Sequence, residues 1–176
     1  MDDIAKLIRN VPDWPKPGIQ FKDITTMVAN GPALRKVIDT LAERYKAFEF
    51  DAVVGVEARG FIFGTALAYA LNTGFVLVRK PGKLPAKTRK VSYELEYGTD
   101  SLEIHEDSIA EGGKVLVIDD LLATGGTVRA VIDLLHGMGA DVVEAAFIVE
   151  LIGLGGRAKV EEKTDVHSLI HFEVDE

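Results

Sequence analysis

The sequence predicts an α/β fold built on a mostly parallel central sheet flanked by helices, with a hairpin projecting from it. Three observations carry that expectation. Ala52 to Val56, Phe75 to Val78, Val115 to Ile118 and Val142 to Val149 are short β-rich or wholly apolar runs, as strands buried on both faces read. Helix-compatible stretches separate them, so that strand, helix, strand occurs twice. The glycine-rich and charged turns follow strands, and in such folds ligands bind beyond the carboxyl ends of the strands.

Taken in order, the chain opens with a helix expected from about Asp2 to Arg9. Pro12, Pro15, Pro17 and Gly18 then force an extended, turning path that makes a poor core strand. After the start signal Asn30-Gly31-Pro32, the residues Leu34, Val37, Ile38, Leu41, Ala42 and Tyr45 recur at three- and four-residue steps and mark one apolar helix face. Between the first two core strands, Gly60 to Leu71 reads as a helix whose Gly64, Ala66, Ala68 and Ala70 permit close packing. Val91 to Asp107 breaks the rhythm, because polar and apolar residues alternate on either side of Gly98, Thr99 and Asp100. This acidic hairpin has no obvious place in a parallel sheet and reads as a flap rather than a core element. Thr127 to Met138 is helical with Gly139 as its stop. Val166 to Val174 reads as a strand sending His167 and His171 to one edge or face, which disfavours the metal site their spacing would allow on a helix. No internal repeat or low-complexity linker interrupts residues 1–176, so a single domain is expected.

Composition narrows the function. A chain of 176 residues with 47% hydrophobic content can bury a substantial core. No apolar run reaches the roughly 18 to 20 residues that cross a bilayer, and the start MDDIAKLIRN lacks a signal-peptide layout, so a cytoplasmic protein with no membrane partner is expected. The absence of cysteine excludes disulfides and thiolate chemistry, leaving oxygen or imidazole ligands for any metal. The net charge of -8 argues against a nucleic-acid partner. Yet Arg79, Lys80, Lys83, Lys87, Arg89 and Lys90 form a basic stretch with no acidic residue among them, which suits a small, highly phosphorylated ligand.

The most informative segment is VLVIDDLLATGGT, Val115 to Thr127. A buried strand ends in two carboxylates and meets a glycine-rich turn that opens a helix. Gly125 and Gly126 let backbone N–H groups converge, Thr124 and Thr127 add hydroxyls, and the helix start adds positive potential. That makes a monophosphate cradle over Ala123 to Thr127. No Lys follows the glycines as in a triphosphate loop, and the dinucleotide pattern G-x-G-x-x-G is absent. Asp119 and Asp120 beside the cradle can accept hydrogen bonds from a vicinal diol and steady positive charge developing on a sugar ring.

This segment resembles the signature of the type I phosphoribosyltransferases. The resemblance implies that Asp119 and Asp120 contact the ribose hydroxyls of phosphoribosyl pyrophosphate, while Ala123, Thr124, Gly125, Gly126 and Thr127 hold its 5-phosphate. The turn Glu57-Ala58-Arg59-Gly60 corresponds to the family's pyrophosphate loop, which implies backbone N–H contacts and a non-proline cis peptide at Ala58-Arg59. Arg79, Lys80 and Lys83 of RKPGKLP match its pyrophosphate-binding positions, with Mg²⁺ held mainly by substrate and water. Glu96 and Tyr97 of LEYG match its mobile flap, where closure excludes water and Glu96 assists proton movement at the purine. Catalytic roles thus fall to Glu96, Asp119, Asp120 and Arg59.

Further pieces, PDWPKPGIQFKDIT, VEARGF, RKPGKLP, LEYG and VELIGLGGR, are similar to the adenine-using subgroup of that family. They imply that residues up to about 30 form a hood over the base. Ile19, Gln20, Phe21 and Lys22 then line the base pocket with Arg59, and Leu151 closes its side. Adenine's exocyclic amine needs acceptors, which backbone carbonyls provide; Gln20 can serve as donor or acceptor. The family also implies a homodimer. Two alternatives stay open: transfer to another purine such as xanthine, and a non-catalytic regulator that binds phosphoribosyl pyrophosphate. The regulator is disfavoured by the lack of spare length for a DNA-binding domain and by the negative charge.

Overall fold

The computed structural model describes residues 1–95 and 98–174. Helix α1 covers only Asp2–Ala5. The helix expected to run to Arg9 stops early because Arg9–Pro12 forms strand β1, antiparallel to β2 (Gln20–Asp23). Val11 precedes a proline and favours extended backbone, and pairing outweighs the local helical pattern. A short helix α2 (Thr25–Val28) leads into α3 (Gly31–Tyr45). The start of α3 is fixed by Asn30, whose side chain accepts from the Ala33 N–H at 3.0 Å, and by a proline in the first turn. Val37, Leu41 and Tyr45 on its expected apolar face are fully buried.

The core sheet comprises β3 (Ala52–Val56), β4 (Gly74–Val78), β7 (Lys114–Leu122), β8 (Asp141–Ile152) and β9 (Asp165–Glu173). Its order is β4-β3-β7-β8-β9, and every pair is parallel. Helix α4 (Gly60–Ala70) follows β3, α5 (Gly126–Gly137) follows β7 and α6 (Gly156–Glu161) follows β8. Side chains alternate along β7: Leu116 and Ile118 pack with α3 and α4, Val115 and Val117 with α5. Close packing of α4 rests on Gly64, where a Cβ would lie 2.5 Å from the Phe75 ring and 3.0 Å from Ile118.

The hairpin pairs β5 (Thr88–Leu95) with β6 (Gly98–His105). It departs from the expected flap in one respect: Leu102 and Ile104 are buried in the α5-side core, and Arg79 bridges to Glu103. Alternation along β6 turns these two apolar residues onto one face, so the base of the hairpin belongs to the core. Among the described residues, no helix is long and apolar enough to cross a membrane.

Candidate functional site

The carboxyl ends of β3 and β7 lie side by side, since these strands are paired, and the functional groups follow from that adjacency. Strand β7 continues through Asp119, which pairs with Phe147, and Asp120, so both carboxylates stand on a strand rather than on a loop. The Asp120 N–H donates to Asp119 Oδ1 at 2.8 Å. Arg59, which caps the start of α4, brings its Nε 2.7 Å from Asp120 Oδ2. Its guanidinium also lies over the Phe21 ring at 5.6 Å, joining the N-terminal strands to the sheet's active end. Burial, and after it the charge of Asp120, pushes the Asp119 carboxyl well above its ordinary pKa. Burial raises Asp120 as well, opposed by Arg59. Gly60 is required here, because a Cβ would meet Asp119 Oδ1 and the Ile118 carbonyl, each at 3.0 Å.

Beyond these carboxylates the chain turns into α5. Gly125 caps that helix with φ at +75°, and no side chain caps its first turn, so the leading N–H groups are open to an anion. The turn is braced from behind by α6: a Cβ on Gly156 would sit 2.0 Å from the Ala123 carbonyl oxygen, and one on Gly125 would sit 2.8 Å from the Gly156 carbonyl oxygen.

On the β3 side, Glu57 gathers the expected cations. It accepts from Lys83 Nζ and from the Lys80 backbone N–H, both at 2.8 Å, and from Arg79 at 3.3 Å. Burial would raise its pKa, but these donors outweigh burial and hold it at about 2. Arg79 Nε is buried without a hydrogen-bond partner, so this guanidinium is not satisfied by Glu57 alone. Lys80 pairs with Asp100 of β6, whose carboxylate also accepts from Tyr93 Oη at 3.3 Å. The cis peptide lies at Glu57-Ala58, not at Ala58-Arg59 as expected. Glu57 still bonds through its N–H to Val78, whereas Arg59 already has helical backbone angles, so the turn is completed one bond earlier.

Two cavities share this end of the sheet. The first, of about 460 Å³, is lined by Glu57, Ala58, Arg59, Asp119, Asp120 and Thr127, with Lys80, Tyr93 and Asp100 opposite. The second, of about 710 Å³, is walled by Ile19, Gln20, Lys22 and Leu151 with Asn10, Glu94, Thr124 and Gly126. The turn 124–127 thus borders both. Of the expected base-pocket residues, Phe21 lies outside the larger cavity's wall, because alternation along β2 turns it away from Gln20 and Lys22 and onto Trp14 at 4.4 Å. Arg59 lines the smaller cavity rather than the larger. Arg79, Lys83 and Gly60 line neither cavity, and the expectations for Glu96 and Tyr97 lie outside the described residues. Tyr93, Asp100 and Asn10 were not singled out from sequence. Their signal is strand register, Tyr93 opposite Asp100 and Asn10 opposite Lys22, which exists only once the pairings are known.

The family model described as phosphoribosyl transferase domain matches residues 24–175. An adenine phosphoribosyltransferase of Chloroflexus aurantiacus is 58% identical over 170 residues, covering 97% of this chain and 98% of its own. The crystal structure of adenine phosphoribosyltransferase from Thermoanaerobacter pseudethanolicus superimposes with a TM-score of 0.93 at 50% identity, covering 97% of this chain and 99% of that one. The Saccharomyces cerevisiae adenine phosphoribosyltransferase, complexed with an imino-altritol bisphosphate and adenine, gives a TM-score of 0.88 at 38% identity, covering 96% and 99%.

Proposed function

The chain belongs to the phosphoribosyl transferase family, and from that premise we propose that it moves the 5-phosphoribosyl group of phosphoribosyl pyrophosphate onto adenine, giving AMP and pyrophosphate. The observation that carries this reading is the continuous arrangement of the Asp119-Asp120 pair, the open start of α5 and the two cavities that meet at residues 124–127. The 5-phosphate rests on the N–H groups of residues 123–127, with Thr124 and Thr127 adding hydroxyl donors. Asp119 and Asp120 receive the ribose hydroxyls and face the ring carbon that gains positive charge as the anomeric bond breaks. Pyrophosphate leaves into the smaller cavity, where Arg59, Lys80 and the amides of residues 58–60 receive the growing charge, with Arg79 and Lys83 adding positive charge through their pairing with Glu57.

Each of these cations is answered by a carboxylate: Arg59 by Asp120, Lys80 by Asp100, and Arg79 and Lys83 by Glu57. The incoming polyanion exchanges with those partners, so the site is held in shape before substrate arrives. The base occupies the larger cavity, under Ile19, Gln20 and Lys22 and against Leu151. The reading assigns Glu96 to proton movement at the purine imidazole nitrogens, raising attack by N9, and Tyr97 to the closing tip.

Mg²⁺ fits the donor set. Of the four carboxylates that line the smaller cavity, Glu57 is answered by Arg79 and Lys83, Asp100 by Lys80 and Asp120 by Arg59, which leaves Asp119 without an ion pair among the described residues. Among the described residues no cluster of three ligands forms a cage. Asp119 and Asp120 would hold the ion together with substrate oxygens and water, the usual arrangement for Mg²⁺. When bound, it supplies charge neutralisation for the pyrophosphate. A homodimer is part of the same proposal; its support is the exposed apolar surface of α4 and β4.

The test is to incubate the protein with phosphoribosyl pyrophosphate, Mg²⁺ and each free base in turn, following base loss and nucleotide formation by chromatography. Adenine is expected to be consumed with AMP appearing in equal amount. Selective loss of hypoxanthine or xanthine overturns the substrate assignment, and consumption of no base overturns transfer itself.

A further inference from the structure

Resting on the adenine-transfer reading, we propose that Asn10 is a positioning residue that fixes the Gln20 side-chain amide as a hydrogen-bond donor toward a ring nitrogen of the purine. The argument is one of donor and acceptor inventory. Lys22 Nζ lies 3.1 Å from Asn10 Oδ1, and Asn10 Nδ2 lies 2.7 Å from Gln20 Oε1. An ammonium group only donates, so Asn10 must turn its oxygen to Lys22 and its NH₂ to Gln20. Gln20 must in turn offer its oxygen to Asn10, which leaves its NH₂ as the group it can present elsewhere. The orientation of both amides is thereby set by a charge and not by an arbitrary choice between oxygen and nitrogen.

Lys22 is itself anchored to the body of the protein, with Nζ 4.6 Å from the centre of the Phe172 ring on β9. Strand register keeps the three side chains together. Asn10 is opposite Lys22 and Pro12 opposite Gln20, so Asn10, Gln20 and Lys22 share one face of the β1–β2 pair. All three line the 710 Å³ cavity, along with Leu151 and Thr124.

A purine in that cavity offers lone pairs at N1, N3 and N7, each able to accept from the Gln20 NH₂. Adenine's exocyclic amine cannot, because it too is a donor there. The relay therefore reads a ring nitrogen and leaves the exocyclic amine to backbone carbonyls.

The experiment measures affinities of adenine and of 1-, 3- and 7-deazaadenine by competition in the transfer assay, for the parent chain and for Gln20→Leu and Asn10→Asp. In the parent chain one deaza compound is expected to bind about five- to tenfold more weakly than adenine, as loss of a single neutral hydrogen bond gives. In Gln20→Leu that gap closes. Asn10→Asp has only acceptors to offer; it takes bonds from Lys22 and from the Gln20 NH₂, turning the Gln20 oxygen into the cavity. Its KM for adenine is expected to rise about tenfold, with KM for phosphoribosyl pyrophosphate and the melting temperature unchanged, a split that general damage to the fold does not produce. Adenine transfer with the same deaza pattern in parent and Gln20→Leu, or an unaltered adenine KM in Asn10→Asp, overturns the relay while leaving the transferase reading intact. Failure of the parent chain to use adenine removes both.

Discussion

At Asp119 a carboxyl group is enclosed beside another carboxyl group, and burial followed by the charge of Asp120 raises its pKa well above the ordinary 3.8. A raised folded-state pKa contributes stability that is fully present below the unfolded value and is lost as pH rises through the folded one. At neutral pH the fold therefore carries the strain of two adjacent acids, Asp120 buried and Asp119 half-buried. Asp119→Asn keeps the acceptor for the Asp120 N–H and removes the charge. It is expected to melt a few degrees higher than the parent at pH 7, with the difference vanishing near pH 3, while transfer slows by about a hundredfold or more. An equal or lower melting temperature at pH 7, or near-parental turnover, would refute this account. Glu57 has the opposite sign. Its pKa is held at about 2 by Lys83, Lys80 and Arg79 against burial, so its contribution is present above pH 4.5 and lost as pH falls toward 2.

Among the elements, α6 acts as a backstop for the phosphate turn, and Gly156 is the point of contact. Gly156→Ala would drive a methyl group into the Ala123 carbonyl. Repacking there is expected to destabilise the fold by about 1 to 3 kcal/mol and to raise KM for phosphoribosyl pyrophosphate about tenfold. Gly126 provides the control for stability. No atom lies within 4 Å of a Cβ placed there and its backbone is helical, so Gly126→Ala is expected to melt with the parent. Equal melting of the two variants would show that α6 does not brace the turn. The same elements mark what the sequence could reveal. The apolar runs in β3 and β7, and in β8 between Glu144 and Glu150, are visible because a strand buried on both faces leaves few polar positions, and the Asp-Asp step at the end of β7 stands out against them. Strand β1 was hidden, since Arg9–Pro12 becomes a strand only through β2. The burial of Leu102 and Ile104 was hidden likewise, because an alternating hairpin does not say which of its faces meets a core. The ion pair between Lys80 and Asp100 joins residues on separate elements, and neither residue's own surroundings in the sequence point to the other.

Seen as a whole, the molecule distributes its apolar surface unevenly. Helix α4, GFIFGTALAYA, has no charged residue in any turn, a pattern expected of a helix covered on all sides. The α3 side of the core covers Phe63, Leu67 and Ala68, but Ile62 remains 40% exposed and Tyr69 89% exposed. Next to it, β4 is an edge strand of the sheet, and Leu77 on it is 40% exposed. An uncharged edge strand beside an uncharged helix face is a surface that soluble proteins either guard with charge or cover. On a chain of net charge -8 this stretch carries no such guard, and a second copy of the same chain is the occupant that the homodimer proposal supplies. Light scattering on the parent is expected to give twice the chain mass of 19.1 kDa. Tyr69→Glu combined with Leu77→Lys, which places charges in that surface while sparing the buried side of α4, is expected to bring the mass to that of one chain without lowering the helical signal. A parent that runs as a single chain at tens of micromolar, or a variant that keeps the doubled mass, would rule this surface out as the interface, and α4 would then need another explanation for its composition.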